Sequence, residues 1–385
     1  MATMTRMISL PLAAALALTA CNNDSSSPTG PSEAPGLSPE RADSRNVSVM
    51  TRNLYIGFDA DLAIGALATG DPAIFGPVLQ ASIVTLQKTD FPTRARTFAA
   101  EIAETRPHAV GLQEVYEIHA NLAPLGIPSQ IDLDYLDILK AALAARHLPY
   151  KVLATVVDAR FLPLPGIELI DRDVLLIDTT RVRAEAGIVA RTFEHNIGVL
   201  APGIDKKAGF IAAPVKIGNL RLTLVTTHLE SDVGPGSYPF VSQLRGAQAA
   251  EIAAVLAAAP RAIVVGDLND VSGSPMHQVL RGAGFTDAWP ALKRNDAGPT
   301  DSCFLPDLSD PAPHCQRRID FILLRGFDGE RGLQGTLQRN GLLPWERVQG
   351  PAGLIWPSDH AGLVGSFAVP NRDSTREPGD LTSPQ

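Results

Sequence analysis

Acidic, amide and imidazole side chains recur at the ends of apolar runs in this sequence of 385 residues. A hydrophobic strand that ends in a carboxylate loses solvation free energy unless the carboxylate is exposed or binds a partner. Because strand ends on one rim can converge, the repeated pattern favours a shared binding or catalytic site. Its members are four acids, two histidines and two asparagines: Asn53, Glu114, His228, Asp267, Asn269, Asp320, Asp359 and His360.

A set rich in carboxylate oxygens indicates a hard divalent cation. Mg²⁺ and Mn²⁺ prefer carboxylate and water ligands, whereas zinc would call for more histidine or cysteine. We therefore expect Mg²⁺, with Mn²⁺ or another divalent cation as the alternative. The two histidines, His228 and His360, are then free for acid/base work or for stabilising negative charge.

The elements that would position these side chains are β-branched or alternating runs, which predict strands, and amphipathic stretches, which predict helices. Two predicted strands are joined by Gly218-Asn219, a favourable two-residue hairpin turn, and mixed strands with intervening helices indicate a layered arrangement. The predicted strands are Val47–Asn53, His108–Glu114, Tyr150–Val157, Asp173–Ile177, Phe210–Ile217, Leu220–His228, Ala262–Asp267, Arg318–Leu324 and Leu363–Val369. The predicted helices are Phe91–Glu104, Asp132–Arg146, Tyr238–Ala258 and Ser274–Arg281.

The motifs around the eight residues are, in chain order, TRNLY, LQEV, TTHLES, GDLND, RRIDFI and SDH. This ordered series resembles that of the endonuclease/exonuclease/phosphatase superfamily, which includes deoxyribonuclease I and neutral sphingomyelinases. The resemblance covers nearly the whole chain from Asn46 onward. It implies an α+β fold of the deoxyribonuclease I type, a four-layer α/β/β/α sandwich with two mostly antiparallel or mixed sheets and the site at one edge. The activity that it implies is Mg²⁺-dependent hydrolysis of phosphoesters.

The same resemblance assigns the acids and amides. Glu114 would be the principal metal ligand, with Asn53 and Asp359 near the metal or orienting its water. Asp267 would position or deprotonate the attacking water, and Asn269 would hold a phosphoryl oxygen. These roles suit an in-line attack that develops negative charge on the phosphoryl oxygens.

It also assigns the histidines. His360 would stabilise charge on the phosphoryl oxygen in the transition state, with Asp320 oriented against it, and His228 would be a second phosphate-binding or acid/base group. Such pairing fixes the imidazole tautomer and favours the cation. Some superfamily members place an acid or tyrosine against the first histidine. Here that partner would be Asp171 or Asp173, and the sequence does not choose between them.

Composition leaves the substrate open. The formal net charge is −8, so no basic excess indicates a nucleic-acid partner. We expect a phosphodiesterase acting on nucleic acid or on a phospholipid head group, with a phosphomonoesterase of the same fold and a non-catalytic surface binding protein as alternatives. Lys206-Lys207 and Arg317-Arg318 could meet a substrate phosphate, although such doublets are more often surface charge. Specificity would lie in loops such as Gly57–Asp90, Ala120–Leu133 and Ser231–Pro239.

The N-terminal residues have the pattern of an export signal, since residues 1–20 combine one arginine, an apolar run and small residues. Leu18-Thr19-Ala20-Cys21 resembles a bacterial lipobox, in which the cysteine is acylated. We therefore expect a lipoprotein anchored to the membrane through Cys21, in the periplasm or at the cell surface, with an ordinary cleaved signal as the alternative. Residues 21–45 predict a disordered tether, 46–370 the endonuclease/exonuclease/phosphatase domain and 371–385 a disordered tail. No protein partner is evident.

Cys303 and Cys315 are the remaining cysteines. Export would permit a disulfide between them that closes a short loop. A metal pair is the lesser alternative, because their spacing matches no zinc pattern.

Overall fold

Two β-sheets form the centre of the computed structural model, which describes residues 46–370 except 124–129, 202 and 233–238. The predicted signal peptide, tether and tail lie outside the described residues, as does Cys21. The strands are β1 (Asn46–Asn53), β2 (Ala109–Gln113), β3 (Glu117–Asn121), β4 (Gln130–Asp134), β5 (Tyr150–Leu164), β6 (Ile167–Asp178), β7 (Val182–Ala184), β8 (Val189–Thr192), β9 (Gly198–Ala201), β10 (Ile204–Lys206), β11 (Gly209–Ile217), β12 (Leu220–His228), β13 (Ala262–Asp267), β14 (Thr286–Asp287), β15 (Asp320–Arg325), β16 (Gly335–Asn340), β17 (Val348–Gly350), β18 (Gly353–Ile355) and β19 (Gly362–Ala368). The helices are α1 (Ala60–Ala68), α2 (Pro72–Thr89), α3 (Phe91–Thr105), α4 (Tyr135–Ala145), α5 (Pro239–Val255), α6 (Pro275–Gly282) and α7 (Ala288–Leu292).

The strand order places a parallel pair inside each sheet. In the described part of the chain, the first sheet runs β16-β19-β1-β2-β6-β5-β10-β9, with β3 and β4 attached to β6. The second runs β14-β15-β13-β12-β11-β7, with β8 attached to β11. The pairs β1-β2 and β12-β13 are parallel, and their outer neighbours β19, β6, β15 and β11 run antiparallel to them. The predicted hairpin is confirmed, because Ile217 of β11 pairs with Leu220 of β12 across Gly218-Asn219.

The side chains of each sheet alternate between two cores, as the two-residue period of a strand requires. In β13, Ile263 and Val265 belong to the core between the sheets, whereas Ala262 and Val264 pack in the core that α5 and α6 share. Helices α3 and α4 cover the outer face of the first sheet. The resulting order of helix, sheet, sheet and helix is the four-layer α+β sandwich that the resemblance implies.

The two sheets approach closely beneath the edge where β1 and β2 end. A Cβ atom on Gly111 would lie 2.4 Å from Thr226 Oγ1 in the opposite sheet, so this position admits only glycine. Gln113 accepts a hydrogen bond from Thr51 Oγ1 and donates one to Thr226 Oγ1, both at 3.0 Å. Buried side-chain hydrogen bonds therefore join the sheets at this level.

The prediction of a loop over Gly57–Asp90 is wrong, because most of this segment is helical. It forms α1 and α2, because the carboxylates of Asp59 and Asp71 accept hydrogen bonds from amides of the first turns. Pro72 sits at the start of α2, where its fixed φ suits a helix and its missing N–H is not needed. Gly57, Gly70 and Pro72 flank or begin these helices, whereas Gly65, Gly76 and Pro77 lie inside them.

The predicted start of the helix Asp132–Arg146 is also wrong. The helix begins at Tyr135 and not at Asp132, since residues 130–134 pair with β3 and the Asp134 side chain caps the first turn. The predicted loop Ala120–Leu133 accordingly contains the ends of two paired strands, and most of Ser231–Pro239 lies outside the described residues. No helix in the described ranges is long and apolar enough to cross a membrane.

The buried guanidinium of Arg94, on α3, holds two chain segments that lead to the edge of the sandwich. It donates to the carbonyl oxygens of Leu54 (2.5 Å), Tyr55 (2.9 Å) and Pro357 (3.0 Å), and to that of Thr89 (2.8 Å). These backbone groups would otherwise be buried without partners. A planar fork with five N–H donors is suited to bridge carbonyls that face it from several directions.

We expect Arg94→Lys to lower the free energy of unfolding by about 3 kcal/mol, because one ammonium cannot reach all four carbonyl oxygens and each orphaned group costs about 1 kcal/mol or more. Chemical denaturation followed by circular dichroism measures the change. Arg96→Lys is the matched control, since Arg96 is exposed on the same helix, and it should change stability by less than about 0.5 kcal/mol. Equal losses of stability in the two variants would contradict the bridging role of Arg94.

Candidate active site

The two parallel strand pairs end side by side. In β1 and β2, Asn53 lies opposite Gln113, which precedes Glu114. In β12 and β13, His228 lies opposite Asp267. Asn53 Nδ2 donates to Asp267 Oδ2 at 3.2 Å, so the strand ends of the two sheets meet at one edge.

Strands that run the other way begin at the same edge. Asp320, the first residue of β15, pairs with Asp267. Asp359 and His360 immediately precede β19, which begins at Gly362. The structure therefore brings all eight predicted residues together, from six positions in the chain.

The Glu114 carboxylate is held by two donors. Asn53 Nδ2 donates to Oε1 and the backbone amide of Ile56 donates to Oε2, both at 2.9 Å. Asn53 is itself oriented, because its Oδ1 accepts a hydrogen bond from the Tyr55 amide at 2.8 Å. Each Glu114 oxygen keeps a lone pair for a further partner.

Two of the site residues have left-handed backbone conformations. The φ angles are +56° at Glu114 and +52° at Asn269. This region is unfavourable for residues with a Cβ atom, and such strain is retained where surrounding contacts enforce it. The hydrogen bonds to the Glu114 side chain, and the 2.9 Å bond from the Asn269 amide to Asp267 Oδ1, are contacts of that kind.

His360 is a buried imidazole surrounded by carboxylates. Its Nδ1 lies 2.9 Å from Asp320 Oδ2 and 3.7 Å from Asp267 Oδ2, and its Nε2 lies 3.9 Å from Asp301 Oδ1. Burial alone would lower the pKa of His360, but the charges of Asp320, Asp359 and Asp267 raise that pKa well above its usual value. We therefore treat His360 as a cation at neutral pH.

His228 is fixed by the residues of the following strand. Its Nε2 lies 2.9 Å from Asn269 Nδ2 and 3.6 Å from Asp267 Oδ2. Asn269 Nδ2 also donates to the carbonyl oxygen of Leu229 at 2.8 Å. The Asn269 amide thus orients His228, and donation to a phosphoryl oxygen would require one of these contacts to be exchanged.

A cleft of about 340 Å³ opens onto these side chains. Six of the eight residues line it, namely Glu114, His228, Asp267, Asn269, Asp359 and His360, and so does Asp171. Asn53 and Asp320 lie behind the wall and hydrogen bond to Glu114 and His360, respectively. The predicted set is therefore divided into side chains that can touch a ligand and side chains that orient them.

Cations from both basic doublets also line the cleft, but they are paired. Lys206 Nζ lies 2.7 Å from Glu230 Oε1, and Arg317 Nη2 lies 2.5 Å from Asp301 Oδ2. Lys206 is buried as well. These two cations are therefore not arranged as an open track for a polyanion.

Residues 85–360 match the Endonuclease/Exonuclease/phosphatase family. The chain belongs to this family. The match spans Glu114, His228, Asp267, Asp320 and His360, and the family consists of hydrolases that act on phosphoester bonds. No curated protein matches the sequence significantly.

Solved structures of the family have the same fold. The endonuclease/exonuclease/phosphatase from Beutenbergia cavernae is 20% identical, with a TM-score of 0.54 over 84% of this chain and 72% of that chain. D. rerio TDP2 in complex with a single-strand DNA product is 19% identical, with a TM-score of 0.50 over 84% of this chain and 99% of that chain. At this identity the likeness concerns the fold alone.

The family uses divalent metals, and the oxygen ligands around Glu114 suit one. Burial, together with the charges of Glu114 and Asp301, raises the pKa of Asp359 to about 7 although the His360 cation opposes this. Carboxylates that destabilise one another in this way are the ligands that a hard divalent cation would hold together. Glu114 and Asp359 therefore fit the predicted metal-binding role, and Asn53 fits the role of orienting Glu114 from behind the wall.

A second group of ligand atoms also lies close together. Among the described residues, one atom each of Asp267, Asp320 and His360 fall within 4.8 Å of one another. However, His360 Nδ1 is bonded to Asp320, and a protonated imidazole cannot ligate a metal. We therefore interpret this group as a histidine held between two acids and favour the Glu114 group for the metal.

Two buried acids behind His228 face each other. Asp158 and Asp173 are both buried, although Asp158 also lines the cleft. Among the described residues no donor lies in normal geometry to any of their four carboxylate oxygens. Burial, and then the neighbouring acids, raise the pKa of each carboxyl group well above its usual value. Two facing carboxyl groups form a hydrogen bond only when one is protonated, so we infer that the pair retains a proton.

The structure also bears on the partner of the first histidine. Burial lowers the pKa of His228, but Asp267, Asp173, Glu114 and Asp171 raise it, and the net shift is upward. Asp173 acts more strongly than Asp171, whose carboxyl group interacts with the Tyr116 hydroxyl instead. Asp173 is therefore the stronger electrostatic partner, and neither of its carboxylate oxygens hydrogen bonds to the imidazole.

Sequence reasoning missed Asp158. It lies in a bulge of β5, where Val157 pairs with Arg172 and Ala159 with Asp171, leaving Asp158 without a partner of its own. The bulge directs its carboxylate over Gly209, where a Cβ atom would come within 2.6 Å of Oδ1. An acid inside the apolar run from Val152 was the available signal, but strand alternation alone does not locate a bulge.

Sequence reasoning also missed Asp301, which contacts both Arg317 and His360. It lies two residues before Cys303, whose disulfide with Cys315 closes the loop between them. The bridge matches the predicted pairing and fixes a wall of the cleft that also includes Phe304. The available signal was the cysteine spacing, which predicted a closed loop but not its position.

We expect Asp158→Asn to reduce the loss of stability that the wild type shows as pH rises. Because the native pKa values of Asp158 and Asp173 are raised, the unfolded chain releases these protons first, so native stability falls from about pH 4 upward toward the native pKa values. The unfolding free energy of Asp158→Asn minus that of the wild type should increase by roughly 1 kcal/mol or more between pH 5 and pH 8.

Urea denaturation at both pH values measures this difference. Glu330→Gln, a neutralising change at an exposed position, should alter stability equally little at pH 5 and pH 8. Parallel pH profiles for wild type and Asp158→Asn would show that the pair does not retain a proton.

Proposed function

We propose that this protein is a metal-dependent phosphodiesterase that acts outside the cytoplasm. Membership of the family supports phosphoester hydrolysis. The observation that carries the finer proposal is the position of a cationic imidazole, His360, beside the oriented carboxylates of Asp267 and Asp359 at one cleft. This arrangement combines charge stabilisation with a candidate base.

Asp267 is the group best placed to orient and deprotonate water. Its Oδ1 accepts a hydrogen bond from the Asn269 amide, and its Oδ2 accepts one from Asn53 Nδ2. These bonds fix the orientation of the carboxylate, whose remaining lone pairs can accept a hydrogen bond in the cleft. A water molecule held there would lose its proton to Asp267 as it attacks the phosphorus atom. The P–O bond to the departing group would break, and the released alkoxide would take up a proton from solvent.

His360 would meet the negative charge that develops on phosphoryl oxygens, and His228 would do so as a cation once Asn269 Nδ2 no longer lies against its Nε2. Asp320 holds His360 through Nδ1, so its Nε2–H is the donor that remains for a ligand. A buried cation of this kind stabilises a transition-state oxyanion more strongly than an exposed one. A divalent cation held by Glu114 and Asp359, with Asn53 orienting the carboxylate, would add Lewis-acid stabilisation of the same charge.

Two features favour a diester with little other negative charge. The cleft contains many carboxylates, and the cations Lys206 and Arg317 are already paired with two of them. A nucleic acid requires cations along several successive phosphates. We therefore favour an ester with one phosphate, such as a phospholipid head group, over a long nucleic acid.

We expect the purified full chain to hydrolyse bis-p-nitrophenyl phosphate with Mg²⁺ and to lose this activity in EDTA. His360→Ala should reduce kcat by about 100-fold to 1,000-fold, the usual effect of removing one donor to a transition-state oxyanion. Glu114→Gln should raise the Mg²⁺ concentration required. Release of p-nitrophenol measures each rate.

His195→Ala is the matched control. His195 is exposed and pairs with Glu251, outside the residues that line the cleft. It should leave kcat unchanged. Metal-independent turnover, or equal rates for both alanine variants, would contradict the proposed chemistry, whereas a folded but inert protein would favour the non-catalytic alternative.

We also propose that the protein is exported and anchored by lipid at Cys21. The support is the sequence pattern alone: the apolar run Met7–Leu18 followed by Thr19, Ala20 and Cys21. Several acyl chains at one cysteine bind a membrane stably, whereas one chain binds marginally. The tether of residues 21–45 would then separate the catalytic domain from the bilayer.

We expect Cys21→Ala to release the protein from the membrane fraction of cells and to abolish labelling by radioactive palmitate. Asn23→Ala, two residues away, should change neither. Fractionation with immunoblotting measures both variants. Retention of Cys21→Ala in the membrane would contradict the anchor, and an unlabelled soluble wild type would indicate an ordinary cleaved signal.

A further inference from the structure

An apolar cavity of about 80 Å³ lies beneath the pair of helices α1 and α2. Its floor is formed by the strands β3, β5 and β6, beyond the part of the first sheet that carries Glu114. Residues from both sides line it, among them Ala63, Leu67, Ile83, Ala120, Ile167 and Leu169. The helices that sequence analysis interpreted as a loop therefore form its roof.

The wall of this cavity exposes no polar surface. Ser82 is part of the lining, but its hydroxyl donates to the carbonyl oxygen of Val78 in its own helix at 3.0 Å. Tyr116 is another, and its hydroxyl interacts with Asp171. Because a water molecule needs two or more polar partners, a carbon-lined space of this kind favours an apolar occupant.

The cavity adjoins the catalytic cleft. Six residues line both spaces: Ile56, Phe58, Ala60, Ile64, Tyr116 and Phe161. Two of them are close to Glu114, the proposed metal ligand. The Ile56 amide donates to Glu114 Oε2, and Tyr116 follows Glu114 by two residues. A group attached to a phosphate in the cleft would therefore have only these shared side chains to pass in order to enter the cavity.

We propose that this cavity binds an alkyl group carried by the phosphoester substrate. The inference rests on the proposed function and adds a substrate class to it, namely esters with one phosphate and an apolar chain. An apolar group gains free energy on leaving water for such a site, in proportion to the area buried. The volume is about half that of a cavity that takes up benzene, so it holds roughly three or four carbon atoms.

The experiment uses the full chain in a fixed concentration of nonionic detergent, with Mg²⁺. The substrates are p-nitrophenyl alkyl phosphates with methyl, ethyl, propyl, butyl and octyl chains. We expect kcat/KM to rise about fourfold with each added methylene up to butyl, the factor that corresponds to burying one CH₂ group. Release of p-nitrophenol gives each value.

Ala63→Leu and Ala120→Leu test the location of the alkyl site. Both alanines line the cavity and neither lines the cleft, so leucine should occupy the cavity, abolish the chain-length dependence and leave the methyl ester rate unchanged. Ala68→Leu is the matched control, because Ala68 is an exposed residue of the same helix as Ala63. This variant should keep the wild-type dependence of kcat/KM on chain length. Any effect of the detergent should be the same in every variant.

Octyl esters distinguish two sources of the chain. If they are cleaved as fast as butyl esters, the remaining carbons extend outside the cavity, as in a lipid; a fall beyond butyl restricts the site to short esters. Both results uphold an alkyl site. The alkyl site would be overturned if the wild type cleaved the methyl ester and showed no dependence on chain length. It would also be overturned if both leucine variants kept the chain-length dependence of the wild type.

Absence of turnover on every ester would overturn the proposed function and leave the alkyl site open to a direct measurement. Methylphosphonate and butylphosphonate are not hydrolysed, and calorimetric titration compares their affinities. Tighter binding of butylphosphonate by the wild type but not by Ala63→Leu would uphold the cavity as an alkyl site. Equal affinities in the wild type would overturn it.

Discussion

The side-chain amide of Asn53 joins the two sheets at the edge on which the site depends. One nitrogen donates both to Glu114 in the first sheet and to Asp267 in the second. Without this donor, the carboxylates of Glu114 and Asp267 would have no hydrogen-bond donor in common. Gln113 makes a parallel connection one layer deeper, through Thr226. The separation of the sheets and the separation of the catalytic acids are therefore set by the same contacts.

The part of the fold that carries the site could be predicted from the sequence, because buried strands have distinct apolar runs. The strand Ala262–Asp267 was predicted with its observed bounds, and so was Leu220–His228. Both are buried on two faces and end in a polar residue that cannot continue the run. A carboxylate at such an end is costly without a partner, and this cost was the signal that located the site.

What the sequence did not show depends on contacts between distant segments. Helices α1 and α2 were predicted as a loop, since their glycines and prolines outweigh a weak apolar pattern. The carboxylate of Asp158 could not be placed, because only pairing with β6 shows that β5 contains a bulge at that position. The choice between Asp171 and Asp173 likewise required the fold, as both precede the same apolar run. Local pattern thus identified the reacting groups, and tertiary contacts identified those that support them.

The left-handed backbone at Glu114 has an evolutionary consequence. A residue with a Cβ atom pays about 1 kcal/mol or more for this conformation, whereas glycine adopts it freely. A descendant of this chain that no longer cleaved its ligand could relieve this strain by replacing Glu114 with glycine or asparagine, provided that the Ile56 amide gained another acceptor. The residue at this position in related chains would therefore separate lineages that have kept the hydrolytic reaction from lineages that retain the fold for binding alone.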